Sequence, residues 1–143
     1  MKLLVSKNKT SHICHVFCQD STSSSGAGKT GLLFSNITGY YMRPGASADV
    51  VMTMVTIAAL GTYAPNTAAK CGFLEVDATH MPGVYELQLP NNALATGVSQ
   101  VVVMLTATGM APLVLEIQLT STDPDVDVTQ TGDSFARIGA AGA

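Results

Sequence analysis

The sequence predicts an all-β protein, an antiparallel β-sandwich of about seven to eight short strands. Apolar and polar residues alternate with a period of two in several short runs. Turn residues separate these runs at close intervals, and no stretch has the period of an amphipathic helix. The chain has 143 residues, the length of one domain, and it is 47% hydrophobic. It therefore contains enough apolar side chains to build a core.

Four strands are predicted in the first half of the chain, at residues 11–19, 38–43, 50–57 and 72–76. A Ser/Thr/Gly loop at 20–29 follows the first strand. The turn Arg43-Pro44-Gly45 ends the second, because Pro presets φ at one turn position and Gly accepts a positive φ at the next. The third is rich in β-branched residues, and a loop containing Pro65-Asn66 precedes the fourth.

Three strands are predicted in the second half, at residues 84–89, 101–105 and 113–119. In the first of them, Tyr85 and Leu87 share one face, with Glu86 and Gln88 on the other. The second is apolar throughout, which predicts a strand covered on both faces. In the third, the apolar residues alternate with polar ones, so we expect the apolar residues to point inward.

One local pattern makes the predicted sandwich Ig-like. Asp77, Gly83 and Tyr85 have the spacing of a tyrosine corner, in which a Tyr near the start of a late strand bonds to upstream backbone. We assign these three residues a structural role at that corner. The Cys and Trp of antibody domains are missing, so the prediction is an Ig-like sandwich without the disulfide.

Charge is scarce in this sequence. Only 12% of the residues are charged, against roughly 25% in an average soluble domain. The net charge of −3 gives no basic field for nucleic acid, and the longest apolar run, 101–105, is too short to span a membrane. The three cysteines fit no closed disulfide set, so we expect free thiols. A lightly charged surface predicts burial against protein partners, including copies of the same chain.

Both ends of the chain differ from the predicted sandwich at residues 11–120. Residues 1–10 are predicted to form a basic arm, and residues 121–143 an acidic arm rich in Gly and Ala. Oppositely charged arms can pair between neighbouring copies, and the segment 120–128 suits addition to a neighbour's sheet edge. The side chains expected to make these assembly contacts are Lys2, Lys7, Lys9, Asp123, Asp125, Asp127, Phe135 and Arg137.

Three motifs resemble ligand sites but lack required parts. The stretch 26–30 (Gly-Ala-Gly-Lys-Thr) lacks the first Gly of a phosphate loop, where Ser23 stands. The His and Cys residues at 12–18 would not all share one face of a strand, so a tetrahedral zinc site is not expected. The alternating aspartates at 123–127 lack the Gly and the closing Glu of a calcium loop. We therefore predict neither cofactor nor metal and, because no catalytic constellation is present, no enzymatic activity.

Most of the chain, residues 19–119, resembles a module of tailed-bacteriophage structural proteins. The resemblance rests on DSTSSSGAGKTGLLF, then YYMRPG, then the long stretch from GFLEVDATHMPGVYELQL to LVLEIQL. Such modules stand at the N-terminus of tail-fibre or baseplate-type proteins and precede a joint matched here by residues 132–137. The resemblance implies a non-enzymatic subunit of the virion that contacts other phage structural proteins and is homo-oligomeric there.

The position in the virion is open at this point. A tail, neck or fibre-adaptor component follows from the longer members of that family and is favoured. A capsid decoration protein is the alternative that suits a short sandwich. A carbohydrate- or host-surface-binding module is a further alternative, for which Tyr40, Tyr41 and Tyr63 are the candidate stacking residues.

Overall fold

The computed structural model describes residues 1–121, which form eight β-strands and two single-turn 3-10 helices without an α-helix. The strands are β1 (Lys2–Ser6), β2 (Ile13–Phe17), β3 (Thr38–Met42), β4 (Val50–Thr56), β5 (Lys70–Asp77), β6 (Met81–Gln88), β7 (Gln100–Thr106) and β8 (Leu113–Thr120). The 3-10 helices are Phe34–Asn36 and Asn91–Leu94. The predicted all-β class and strand number are confirmed. No helix within these residues has the length and apolar character needed to cross a membrane.

The eight strands form one continuous sheet in the order β1-β8-β7-β3-β4-β5-β6-β2. The sheet bends at β4 because the two ends of this strand have different partners. Its first residues, from Val50 to Met52, pair with β3, and its last, from Thr53 to Thr56, pair with β5. The mixed sheet curls into a half-barrel around its apolar face.

The expectation of a wholly antiparallel arrangement is wrong. Two of the pairings are parallel, β1 with β8 and β4 with β5. Parallel neighbours need a crossover connection, and residues 57–69 supply one between β4 and β5. For β1 and β8, the rest of the domain lies between the two strands in sequence.

The prediction of a basic arm at residues 1–10 is also wrong. Lys2–Ser6 is the edge strand β1, paired in parallel with residues 116–120 of β8. Val5 is 1% exposed and packs in the core, while Lys2 and Leu4 remain exposed. The buried side chain of Val5 and five residue pairings with β8 hold this segment on the sheet. The lysines of residues 1–10 had predicted a solvent-exposed arm instead.

The core is a single cluster of apolar side chains enclosed by the curled sheet. At its centre the rings of Phe73 and Tyr85 stack, with centroids 4.7 Å apart and an interplanar angle of 10°. Gly39 lets β3 approach its neighbours, since a Cβ there would lie 2.7 Å from Cε of Met52 and 2.9 Å from Cδ2 of Leu105. As expected for β8, Leu115, Ile117 and Leu119 point into this core.

The polar face of β6 is buried as well. Glu86 and Gln88 are 2% and 0% exposed, because the connection 57–69 passes over them. The Glu86 carboxylate accepts hydrogen bonds from the Gly61 N–H, at 3.0 and 3.1 Å, and from Nε2 of Gln88, at 2.9 Å. Gln88 also accepts from the N–H of Ala64 at 2.7 Å and donates to the carbonyl of Thr62 at 2.9 Å. Backbone partners thus satisfy polar groups that would otherwise be costly to bury.

Candidate interaction surface

Within residues 1–121, strand β7 is covered on one face only, whereas its apolar sequence predicts cover on both faces. Val101, Val103 and Leu105 are buried, but Val102 and Met104 are 40% and 42% exposed. The apolar residues on the second face of β7 therefore have no cover within residues 1–121. An exposed apolar strand face is the first sign of a surface built for contact.

The neighbouring strands extend this exposed apolar surface. Across the sheet, Val51 of β4 is opposite Tyr40 of β3, Tyr40 is opposite Met104 of β7, and Met104 is opposite Val114 of β8. One pleat further along, Met42 is opposite Val102. The outer face is defined here by these six side chains, Tyr40, Met42, Val51, Val102, Met104 and Val114, which are 38–58% exposed.

The six side chains of the outer face are uncharged, and a charged rim begins beside them at Glu116 of β8, which is opposite Val102. Strands about 4.8 Å apart give the row from Val51 to Val114 a span of roughly 14 Å. At the β1 end, Nζ of Lys2 lies 3.7 Å from Oε2 of Glu116, and both side chains are largely exposed. Beside this rim is a shallow hollow of about 410 Å³, lined by β1, β7 and β8. An apolar centre with a polar rim is the anatomy of a protein–protein interface.

The three residues predicted at the tyrosine corner lie in the β5–β6 hairpin, with Asp77 at the end of β5 and both Gly83 and Tyr85 in β6. Tyr85 is 0% exposed, and its hydroxyl donates to the Lys29 carbonyl at 2.7 Å and accepts from the Leu32 N–H at 3.1 Å. Burial raises the pKa of Tyr85 to about 12. Its bonds therefore hold the Ser/Thr/Gly loop, far upstream in the sequence, against the sheet.

Asp77 and Gly83 shape the turn before Tyr85. The Asp77 carboxylate accepts from the N–H groups of Thr79 and His80 and lies 2.8 Å from Nδ1 of His80. The hydrogen bond from the His80 side chain is the main cause that lowers the pKa of Asp77. Gly83 has φ +90°, and a Cβ built on it would lie 2.5 Å from Cα of Gly28 in the upstream loop.

The loop that resembles part of a phosphate site is closed by its own hydrogen bonds. The Lys29 N–H donates to the Cys18 carbonyl at 2.7 Å, and the Asp20 N–H donates to the Ala27 carbonyl at 2.8 Å. A phosphate loop needs free amides and a following helix. Here the Lys29 amide is already bonded, and an extended stretch with one 3-10 turn follows.

The His and Cys residues of the first predicted strand diverge in the structure. Cys14 and Cys18 face the core, and His15 faces outward beside Glu86, with Nε2 3.7 Å from Oε1. Among residues 1–121 no group of three His, Cys, Asp or Glu side chains is placed to hold a metal ion. Cys14, Cys18 and Cys71 are free thiols, and burial raises the pKa of both Cys14 and Cys18 to about 12.

The three tyrosines considered for sugar stacking differ in exposure. Tyr41 is 5% exposed and packs in the core. Tyr63 is half-buried and donates to the Leu89 carbonyl at 2.7 Å. Tyr40 is 41% exposed and belongs to the outer face. It is therefore the one of the three tyrosines whose aromatic ring is accessible to a sugar.

Of the eight residues predicted to make assembly contacts, three lie in the described part of the chain. Lys2, Lys7 and Lys9 belong to β1 and the turn after it, where the Lys7 N–H donates to the Thr120 carbonyl at 2.7 Å. The other five expected contacts, Asp123, Asp125, Asp127, Phe135 and Arg137, lie outside the described residues.

No protein-family model matches the chain, and no curated protein sequence matches it.

The outer face was missed by reasoning from the sequence, although its signal is there. The unbroken apolar run 101–105 predicts a strand covered on both faces, and so predicts that Val102 and Met104 are buried. An unbroken apolar strand has apolar side chains on both faces, but the sequence does not indicate which face packs in the core of the domain. Tyr40 in the run 38–43 and Val51 in the run 50–57 carry the same signal on the neighbouring strands.

Proposed function

We propose that the chain is a non-enzymatic structural subunit of a tailed-bacteriophage virion, which docks through its outer face onto other virion subunits and copies of itself. The docking rests on one observation, the row of exposed apolar side chains from Val51 through Tyr40 and Met104 to Val114. The virion assignment rests on the resemblance of residues 19–119 to phage structural modules, and an Ig-like relationship of the half-barrel is part of the same proposal.

Desolvation supplies the driving force for docking. Burial of apolar surface contributes about 25 cal/mol per Å², and the six side chains of the outer face are all uncharged. The scarcity of charge in the whole chain is consistent with a molecule surrounded by protein. For its place in the particle we favour the tail, neck or fibre-adaptor region, with capsid decoration as the alternative.

Counting copies in purified virions tests this proposal. Quantitative mass spectrometry with labelled reference peptides gives the number of chains relative to the major capsid protein. A few to a few dozen copies support the tail or neck, and hundreds support shell decoration. A chain that is made during infection but absent from the particle would overturn the virion assignment.

Two matched substitutions test the outer face itself. Met104→Glu places a charge in the middle of the outer face, whereas Met81→Glu places the same charge on an equally exposed residue of β6. Both variants should fold, because both side chains point to solvent. We expect Met104→Glu to abolish incorporation into particles and Met81→Glu to leave it unchanged. Equal incorporation of the two variants would contradict docking through this face.

Binding to glycans is the competing function that the exposed Tyr40 ring permits. A glycan-array signal from the wild-type chain that is lost in Tyr40→Ala, with incorporation into particles unchanged, would replace docking by carbohydrate recognition.

A further inference from the structure

Strand β2 is the last strand of the sheet, and β6 is the one strand that pairs with it in the described part of the chain. The Cys18 N–H donates to the Gly83 carbonyl of β6 at 2.7 Å. Backbone groups alternate in direction along a strand, so those of Ile13, His15 and Phe17 point away from β6. The side of β2 on which these three residues present their N–H and carbonyl groups is the β2 edge. Such an edge is a template for another strand.

The β2 edge lacks the residues that keep sheet edges from pairing. Charged side chains, above all Lys, and Pro protect many natural edges, and β2 (ICHVF) contains no Lys, Arg, Asp, Glu or Pro. The strand at the opposite edge of the sheet, β1, begins with Lys2 and is followed by Lys7. On β2, Phe17 is instead 45% exposed. Of the two edge strands, β2 is therefore the one whose composition favours pairing.

Both ends of the β2 edge limit the strand that can pair with it. Beyond Phe17, the Gln19 carbonyl accepts from the Ala111 N–H at 2.9 Å, so the turn between β7 and β8 occupies the edge there. Before Ile13, Ser11 has a φ of +55°, a left-handed conformation that interrupts an extended chain. A partner strand must therefore be short and must leave the edge at both ends. The strand β2 of a second copy has this length and the same two ends.

Two antiparallel copies of β2 match each other on both faces in the register centred on His15. In this register Ile13 is opposite Phe17 of the second copy, and His15 is opposite His15 of the second copy. All outward backbone groups of both strands then have a partner, because the residues that point away from β6 face one another and exchange two hydrogen bonds in each pair. On the face toward the core, Cys14 is opposite Val16 of the second copy, and both are buried apolar side chains.

We propose that two copies of this chain pair through their β2 edges, antiparallel and in the register centred on His15, so that one continuous sheet joins the two half-barrels. The contact is symmetric about a twofold axis, and a surface that binds itself in this way closes at the dimer. The two His15 rings meet at the axis, each beside a Glu86 carboxylate, with Nε2 3.7 Å from Oε1. The outer face, on β3, β4, β7 and β8, takes no part in this contact, so the dimer goes beyond the proposed function and does not rest on it.

A cysteine cross-link in the full-length chain tests the register. His15→Cys places one thiol of each copy at the twofold axis, where paired Cα atoms lie about 5.5 Å apart, within the range of a disulfide. The native cysteines are buried. Leu4→Cys, on an equally exposed residue of the other edge strand, is the control. Oxidation with copper phenanthroline should give at least about tenfold more covalent dimer from His15→Cys, because pairing raises the effective concentration of its thiols. Equal cross-linking of the two variants, or none, would overturn the proposal.

Removal of one outward N–H tests the same pairing by mass. His15→Pro deletes an N–H that points away from β6, and Pro is tolerated at such positions of an edge strand. Leu4→Pro is the matched control, because the Lys7 N–H donates to β8 and the alternation turns the Leu4 N–H outward. In sedimentation equilibrium, the wild type and Leu4→Pro should be dimeric, and His15→Pro should dimerise at least about tenfold more weakly.

Urea unfolding reports whether each of these variants is folded, and the cross-link decides if His15→Pro is not. A monomeric wild type would overturn the proposal, whatever covers the β2 edge in the monomer. A series of larger oligomers would overturn it as well, because pairing of β2 with β1 of the next copy does not close. Virion incorporation is measured separately, so a failed dimer leaves the proposed function standing, and a failed virion assignment leaves the dimer standing.

Discussion

The hydroxyl of Tyr85 donates a 2.7 Å hydrogen bond to the carbonyl of Lys29, 56 residues upstream. The same oxygen accepts from the Leu32 N–H at 3.1 Å and lies 3.2 Å from Oε2 of Glu75. Glu75 in turn accepts from the Gly31 N–H at 3.1 Å. Two side chains of the β5–β6 hairpin therefore fix the backbone from Lys29 to Leu32 against the sheet.

Tyr85→Phe removes this attachment without creating a cavity. The Leu32 N–H and the Lys29 carbonyl lose a buried partner, and an unsatisfied buried group costs about 1–3 kcal/mol. We expect the free energy of unfolding to fall by about that amount in urea titrations. Tyr40→Phe, on an exposed ring, serves as the control and should change stability by less than about 0.5 kcal/mol. Equal effects of the two substitutions would show that the hydrogen bonds of the Tyr85 hydroxyl contribute no more stability than the exposed hydroxyl of Tyr40.

Glu86→Gln tests the network beneath the connection 57–69. The carboxylate accepts from both the Gly61 N–H and Nε2 of Gln88, and an amide in its place turns an N–H₂ group toward one of these donors. Because both carboxylate oxygens accept from the Gly61 N–H, the new N–H₂ group faces this donor in either orientation, which should cost about 1–3 kcal/mol of unfolding free energy. Glu116→Gln, on the exposed face of β8, should be nearly neutral. A neutral Glu86→Gln variant would mean that the connection holds without this carboxylate.

Gly28→Ala should disrupt the contact between the Ser/Thr/Gly loop and the β5–β6 hairpin. A Cβ at Gly28 would lie 2.2 Å from the Pro82 carbonyl oxygen and 2.7 Å from Cα of Gly83. Backbone atoms cannot yield as a flexible side chain does, so we expect a loss of at least about 3 kcal/mol. Gly31→Ala is the comparison, because its φ of +77° strains an Ala but no atom lies within 4 Å. Gly31→Ala should cost about 1 kcal/mol. Urea titrations measure the free energy of unfolding of both variants, and a Gly28→Ala variant as stable as Gly31→Ala would refute the contact.

The buried thiols should resist alkylation over a wide pH range. Burial raises the pKa of Cys14 and Cys18 to about 12, and for Cys14 the charge of Glu86 adds to the shift. The raised pKa lowers the thiolate fraction at pH 8 by roughly 1,000-fold relative to an ordinary thiol. Iodoacetamide should therefore label the folded chain slowly at pH 8 and rapidly in denaturant. Mass spectrometry follows both reactions, and rapid labelling of folded Cys14 at pH 8 would contradict the buried position.

The strands with local alternation were predictable from the sequence. In β8, apolar and polar side chains alternate, and the buried and exposed positions follow that pattern. The turn Arg43-Pro44-Gly45 marks the end of β3 in the same way, and Gly45 has a φ of +86°. Such features depend on a few neighbouring residues, which is why one sequence suffices to find them.

Structural features that depend on residues far apart in the chain were not predictable from the sequence. Strand β1 is held by a partner more than a hundred residues away, and Lys2 and Lys7 at its ends suggested a solvated arm. Glu86 and Gln88 are buried by a crossover whose path the sequence does not indicate. The outer face was hidden for a related reason, since an apolar side chain such as Met104 has the same signature against its own core and against another molecule.

Strand β4 hydrogen-bonds to β3 with its first residues and to β5 with its last. The strands on the two sides of β4 therefore share one strand and do not form two separate sheets. Separation of the strands on one side removes the backbone partner of the other side at the same strand. Pulling or heating should therefore break the domain in a single step, with the amides on both sides of β4 losing protection together.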